Sequence, residues 1–237
     1  MAENEIQSGI SILSVQNSTG IVEIFSDRKN HITIPEFVDI NVLEKWITDN
    51  KLKSVIITGR GRHFSNGADF SLIENSDNSI DELFENIQKG RELLNVIEKL
   101  PVVTVAAING SCFGAGLEIA LSCHFRICSQ KSFFALPEAS RGIIPGLNGV
   151  ERLSRLCGRR KAIQIALSGE MFSSEDALNA GIVDMVSDDS LNAALKFVQE
   201  LTDNKTIHQI SSVVNASDMR SEPKDFVNAV KEMISNG

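Results

Sequence analysis

Two stretches hold most of the residues from which chemistry could be built. SVIITGRGRHFSNGADF (54–70) and VVTVAAINGSCFGAGLEIAL (102–121) each run from an apolar strand into a glycine-bearing loop, and a helix follows the second. Small residues at such a turn admit close approach to the backbone. A helix start adds unpaired N–H groups and the positive end of a dipole. Two turns of this kind can aim two backbone amides at one oxygen, which is an oxyanion hole. Each alone also reads as a plain tight connection. Three carboxylates lie in or near these turns. Glu118 falls in the first turn of the second helix, where dipole and capping favour it in any case. Glu138 follows Pro137, a common helix opening. Asp69, after Gly67-Ala68, suits a helix cap.

The other reactive residue types do not group. His31, His63, His124 and His208 are scattered, with no spacing that pairs them. Ser111 and Ser140 show no evident His or Asp partner in the sequence, so a serine hydrolase is not expected. The Cys123–Cys128 spacing fits no common zinc pattern. With Cys112 and Cys157 these cysteines read as reduced, buried thiols, and no metal is expected.

Strand and helix signals alternate around the two turns. GISILSV (9–15) and GIVEIFS (20–26) predict a β-hairpin about the polar turn Gln16–Thr19. Phe37, Val38, Val42, Leu43, Trp46 and Ile47 form one apolar face of a helix predicted over 35–49. SVIITG (54–59) and VVTVAAI (102–108) are buried strands. Between them lie a polar loop (75–81) and a helix ended by Pro101. A helix is predicted over about 115–123, then strands at 125–129 and 132–136. Helices follow near 149–157 and 161–167, and SSEDALNAG (173–181) is a capped helix ended by Gly181. IVDMVS is a last strand, and 190–237 reads as two helices broken at Asp203–Lys205. The alternation places the chain in the α/β class.

At 237 residues the chain suits one domain of generous size or a domain with an appendage. Hydrophobic residues at 42% and charged residues at 23% are ordinary for a globular protein. A net charge of −8 argues against broad nucleic-acid or anionic-membrane binding. Five basic groupings (Arg28-Lys29, Arg60 with Arg62 and His63, Arg126, Arg141, Arg159-Arg160-Lys161) read mostly as solvated surface. MAENEIQSG is unlike a secretory signal, and no run approaches the ~18–20 apolar residues of a membrane span. A cytoplasmic location is the expectation.

Four motifs in order resemble the crotonase (enoyl-CoA hydratase/isomerase) family: FSNGADF, INGSCFGAGLEIALSC, LPEASRGIIPGLNGVERLSRLCG and ALSGEMFSSEDALNAGIVDMV. The similarity covers about residues 8–190. It implies a crotonase-like spiral of repeated ββα units, with a catalytic core over 1–189 and a short helical segment over 190–237. It further implies oxyanion N–H groups at Ala68 and Ala115, the latter standing where the family usually has Gly. Glu118 and Glu138, spaced 138 − 118 = 20 apart as in the hydratases, would be the acid–base pair. Gly67, Asp69, Gly114 and Gly146 would line the pocket. The implied substrate is an acyl thioester of CoA or of an acyl-carrier protein, with no permanently bound cofactor. Arg28, Lys29, Arg60 and Arg62 would be placed to meet its phosphates, with plain surface charge as the favoured alternative, and the implied assembly is a homotrimer or a dimer of trimers. The implied reaction is water addition to, or removal from, a 2-enoyl thioester. Isomerase, decarboxylase or thioesterase chemistry on the same fold, or a non-catalytic binding role, are the alternatives. SDRKNHIT (26–33) departs from the family loop that holds the adenine end of CoA: it keeps Asn30 and Thr33 but lacks the Pro. The C-terminal segment is shorter than usual and lacks the familiar tail signature.

Overall fold

The structure, a computed structural model, describes residues 5–69 and 80–202. Its centre is a sheet of order β1-β2-β3-β4-β5-β7-β10. β1 (Ile6–Ser8), β2 (Ser11–Gln16) and β3 (Thr19–Ile24) form an antiparallel edge. The expected hairpin is β2–β3, with Gln16 opposite Thr19 and Asn17 at φ 58 in the turn. β4 (Ser54–Gly59), β5 (Val103–Ile108), β7 (Phe125–Ser129) and β10 (Met185–Ser187) continue the sheet in parallel. β4 and β5 are buried along their whole length, as near-continuous apolar runs in a parallel sheet should be.

A second, three-stranded sheet of order β6-β8-β9 joins β6 (Ser111–Phe113), β8 (Phe133–Ala135) and β9 (Phe172–Ser173). β6 is too short to show a strand period, and only pairing with β8 defines it. The helices are α1 (Ile40–Asp49), α2 (Ile80–Lys99), α3 (Ala115–Ser122), α4 (Gly149–Ser168), α5 (Ser174–Asn179) and α6 (Ser190–Thr202).

α1 starts later than its apolar pattern suggests. Asp39 caps it by accepting the Val42 N–H at 2.9 Å, while Phe37 and Val38 are buried ahead of the helix. α4 joins the two helices expected at 149–157 and 161–167 across a kink at Gly158, φ 78. α5 carries a capping box between Ser173 and Asp176. α6 lays Ala194 and Val198 on Ile56, Val103, Val105, Ala107 and Ile127 of the sheet. Expectations for 75–79, and for 203–237 including the break at Asp203–Lys205, lie outside the described residues.

One basic residue does not behave as solvated surface. Arg126 is 3% exposed. Its guanidinium donates to the carbonyls of Ile182, Cys123 and His124 and pairs with Asp184. It ties β7 to the segment before β10, and its charge is offset by those acceptors.

Candidate active site

The two glycine-bearing turns meet. Gly67 has φ +83, and a Cβ there would stand 2.7 Å from Phe113 O and 3.4 Å from Ala115 N. Only a residue without a side chain allows this approach. Backbone bonds hold the contact: Phe64 and Ser65 N–H donate to Ser111 O, each at 3.1 Å, and Phe113 N–H donates to Ser65 O at 2.9 Å. Ser65 Oγ accepts from Gly67 N–H at 3.0 Å and donates to Asn30 O at 2.7 Å. Asn30 is fully buried at φ 52, and its Nδ2 bridges the carbonyls of Arg60 and His63 at 2.9 and 2.8 Å. Asn30 thus braces the first turn from inside. Ala68 bridges Ile32 in parallel. Among the described residues neither Ala68 N–H nor Ala115 N–H donates a backbone hydrogen bond.

Ala115 opens α3 without a positive φ, so its methyl is tolerated; the unusual backbone, φ 50 and ψ −123, falls on Gly114 instead. Glu118 lies one turn further along α3 and is 1% exposed. Its Oε1 accepts the N–H groups of Leu147 and Gly149, both at 2.8 Å. Burial raises its carboxyl to about 7; the Gly149 amide opposes that, the Glu138 charge adds to it, and the Leu147 amide and Arg152 oppose it.

Glu138 sits in a 3₁₀ turn, Pro137–Arg141, and is 5% exposed. Pro137 opens that turn as the sequence suggests. A Cβ at Gly114 would stand 2.7 Å from Glu138 Oε1. Oε2 is buried and has no hydrogen-bond partner. A buried carboxyl oxygen left unpaired is costly, and burial pushes this carboxyl above its usual range. Two carboxyls with raised affinity for protons therefore stand against the start of one helix, beside the point where the two turns touch.

Arg152 is the residue at this site with no role assigned from the sequence. It is 3% exposed; Nη1 donates to Leu147 O at 2.7 Å, Nη2 to Asn95 Oδ1 at 2.7 Å and Nε to Glu98 at 3.0 Å. It clamps the turn whose amides hold Glu118 to α2. Its only sequence trace was its place within the third motif. Gly149 is required by contact: a Cβ would meet Glu118 Cγ at 2.5 Å.

The other anticipated residues spread out. Asp69 is half-buried and already engaged by a partner. Gly146 faces open space and accepts Arg91 Nε on its carbonyl at 2.7 Å. Arg28 and Lys29 are exposed on a loop pinned by Asp27, which accepts from the Lys29 and His31 amides. Arg60 is held by Glu23 at 2.7 Å. Arg62 is exposed at the rim of a cleft of about 560 Å3 shared with His63, Ser111 and Lys131. Ser111 does have a histidine partner, contrary to the sequence expectation: its Oγ lies 2.7 Å from His63 Nδ1 and also contacts Asn66. Fold packing, not sequence spacing, brings them together. Two further clefts, about 570 and 420 Å3, share Arg91 and Asn148 in their walls. Among the described residues no cluster could hold a metal ion, and no helix is long and apolar enough to cross a membrane.

The enoyl-CoA hydratase/isomerase family model matches residues 19–233. A probable enoyl-CoA hydratase of Bacillus subtilis is 40% identical over 151 residues, 62% of this chain and 57% of that protein. The alpha subunit of a fatty acid oxidation complex from Shewanella halifaxensis is 39% identical over 153 residues, 63% of this chain and 21% of that protein. The matched region thus spans little more than half of one relative and about a fifth of the other. Among solved structures, DspI of Pseudomonas aeruginosa superposes with a TM-score of 0.83 at 24% identity, covering 98% of this chain and 99% of that one. An enoyl-CoA hydratase from Polaromonas sp. JS666 gives 0.84 at 24% identity, covering 93% and 91%. These likenesses carry the fold, and the family match over most of the sequence carries the rest: the chain belongs to the enoyl-CoA hydratase/isomerase family, the crotonases.

Proposed function

We propose that the protein adds water across the 2,3 double bond of a 2-enoyl thioester, or removes it in reverse. The thioester carbonyl oxygen lies between the N–H groups of Ala68 and Ala115. As an enolate forms, charge builds on that oxygen, and fixed donors stabilise it; losing one such donor in an enzyme costs about 2.7–4 kcal/mol. A water is held by Glu118 and Glu138. One carboxylate takes a proton from it as its oxygen bonds C3, and a carboxyl group delivers a proton to C2. The proton removed and the proton delivered balance, and no redox partner is needed. The two acids titrate as a coupled pair, so the roles belong to the pair.

The observation that carries this reading is the buried Glu138 Oε2 without a partner, beside a Glu118 whose carboxyl is raised to about 7. Burial raises both carboxyls, which favours proton exchange at the pair. The substrate handle is the pantetheine arm of CoA or of a carrier protein, and the working unit is a homotrimer or a dimer of trimers. Crotonyl-CoA hydration, followed by loss of enoyl absorbance, tests the reaction. Activity lost in both Glu118→Gln and Glu138→Gln is the expected result. Absence of hydration in the unaltered protein, or full activity in either variant, overturns the reading.

A further inference from the structure

The cleft of about 420 Å3 has a mostly apolar wall that includes Ile143, Val150, Ile163 and Leu167. Its wall takes in chain neighbours of the residues that form and hold the glutamate pair. Ala139 in its wall follows Glu138, and Asn148 and Val150 flank the Gly149 that holds Glu118. An acyl tail leaving a thioester at that centre has this wall to run along. Arg91 stands in it, half-buried on α2. Its Nε donates to Gly146 O at 2.7 Å, which orients the guanidinium plane.

Arg91 differs from the arginines around it. Arg152 pairs with Glu98 at 3.0 Å and Arg155 with Glu98 at 2.7 Å. Among the described residues no carboxylate lies within ion-pair distance of Arg91. Glu151, in the same wall, is exposed and lies 4.0 Å from Arg155. One edge of the Arg91 fork is committed to a carbonyl, and the N–H groups left match a planar carboxylate.

We propose that the acyl group taken by this site ends in a carboxylate: a thioester with apolar methylenes along the wall and a terminal carboxylate on Arg91. The inference rests on the proposed reading for where the thioester sits. Arg91 sets specificity and takes no part in the proton transfers. A site built to bond a charged terminus rejects the analogue lacking it.

Calorimetry with the full chain tests this, using two saturated probes that cannot react: hexanoyl-CoA and the CoA monothioester of hexanedioic acid. The carboxylated probe is expected to bind about 10–100-fold more tightly. Arg91→Gln should collapse that ratio to near one, and Arg91→Lys should retain part of it, with melting temperatures measured alongside to confirm folding. Equal affinity of the two probes, or a preference unchanged in Arg91→Gln, overturns the inference. Crotonyl-CoA hydration is measured separately. Turnover without charge preference sinks only this inference, and preference without turnover sinks only the hydration reading. Failure to bind either probe sinks the inference, whatever the turnover result.

Discussion

A Cβ at Gly149 would stand 2.5 Å from Glu118 Cγ, while the Gly149 N–H donates to Glu118 Oε1 at 2.8 Å. The glycine is both the donor and the space the carboxylate occupies. Gly149→Ala must displace a side chain that is 1% exposed. The expected cost is about 1–3 kcal/mol in chemical denaturation. If Glu118 is the reacting carboxyl that the proposed function makes it, turnover should fall with kcat more than KM, because that group moves and the substrate handle does not.

Under the proposed hydration reading, removing either carboxyl charge isolates its part in proton transfer. Glu118→Gln and Glu138→Gln should each lower kcat for enoyl-thioester hydration by about 10²–10⁴-fold. Combined, they should cost far less than the product of the single effects, since both act on one water. Steady-state kinetics on all three variants reads this directly; additive losses would mean that the acids work apart.

The raised Glu118 carboxyl carries a stability signature of definite sign. Its folded value, about 7, lies above the ordinary 4.5. The folded state therefore binds more protons than the unfolded chain between those values, and stability falls as pH rises through that window. The full effect is on the order of 3 kcal/mol. Glu118→Gln should flatten the fall between pH 4.5 and 7 and be more stable than the unaltered protein above pH 7, read by urea unfolding at several pH values.

Gly67 is the close-approach residue of the first turn. With φ +83 and Phe113 O in the way of a Cβ, Gly67→Ala has no relaxed conformation. The turn should shift away from Ala115 and take the Ala68 amide with it. A loss of about 10²–10³-fold in kcat is expected if one donor is misplaced. Gly61→Ala is the control for backbone strain: its φ is +82, yet a Cβ there meets nothing within 4 Å. It should lose stability and keep kcat.

Thiol chemistry should separate the cysteines. Cys112, Cys123 and Cys128 are buried in the core, and burial pushes Cys123 and Cys128 up to about 12. Cys157 is half-buried on α4. A disulfide-exchange reagent should label Cys157 first in the folded protein and all four only on unfolding, as peptide mass mapping will show.

Local signals in the chain determined a good deal by themselves. The β2–β3 hairpin, the buried strands β4 and β5 and the capped α5 are written in periodicity, turn residues and caps spanning a few positions, while the four motifs were legible as a family resemblance. Those interactions are short-range, so neighbouring residues suffice to specify them. Asp39 capping α1 in place of a start at Pro35, and Gly158 kinking one helix rather than separating two, show where two local signals compete and packing chooses. The electrostatics of the site belong to the tertiary structure alone. Glu118 finds its donors 29 and 31 residues away, Ser111 finds His63 48 residues away, and Arg126 reaches Ile182 and Asp184 across the sheet. Which groups lose water, and which dipoles then face them, depends on contacts between distant elements. The types of the two acids were legible from the chain; the burial that raises both carboxyls came only with the tertiary structure, and for Glu118 with the 147–149 turn whose amides it accepts.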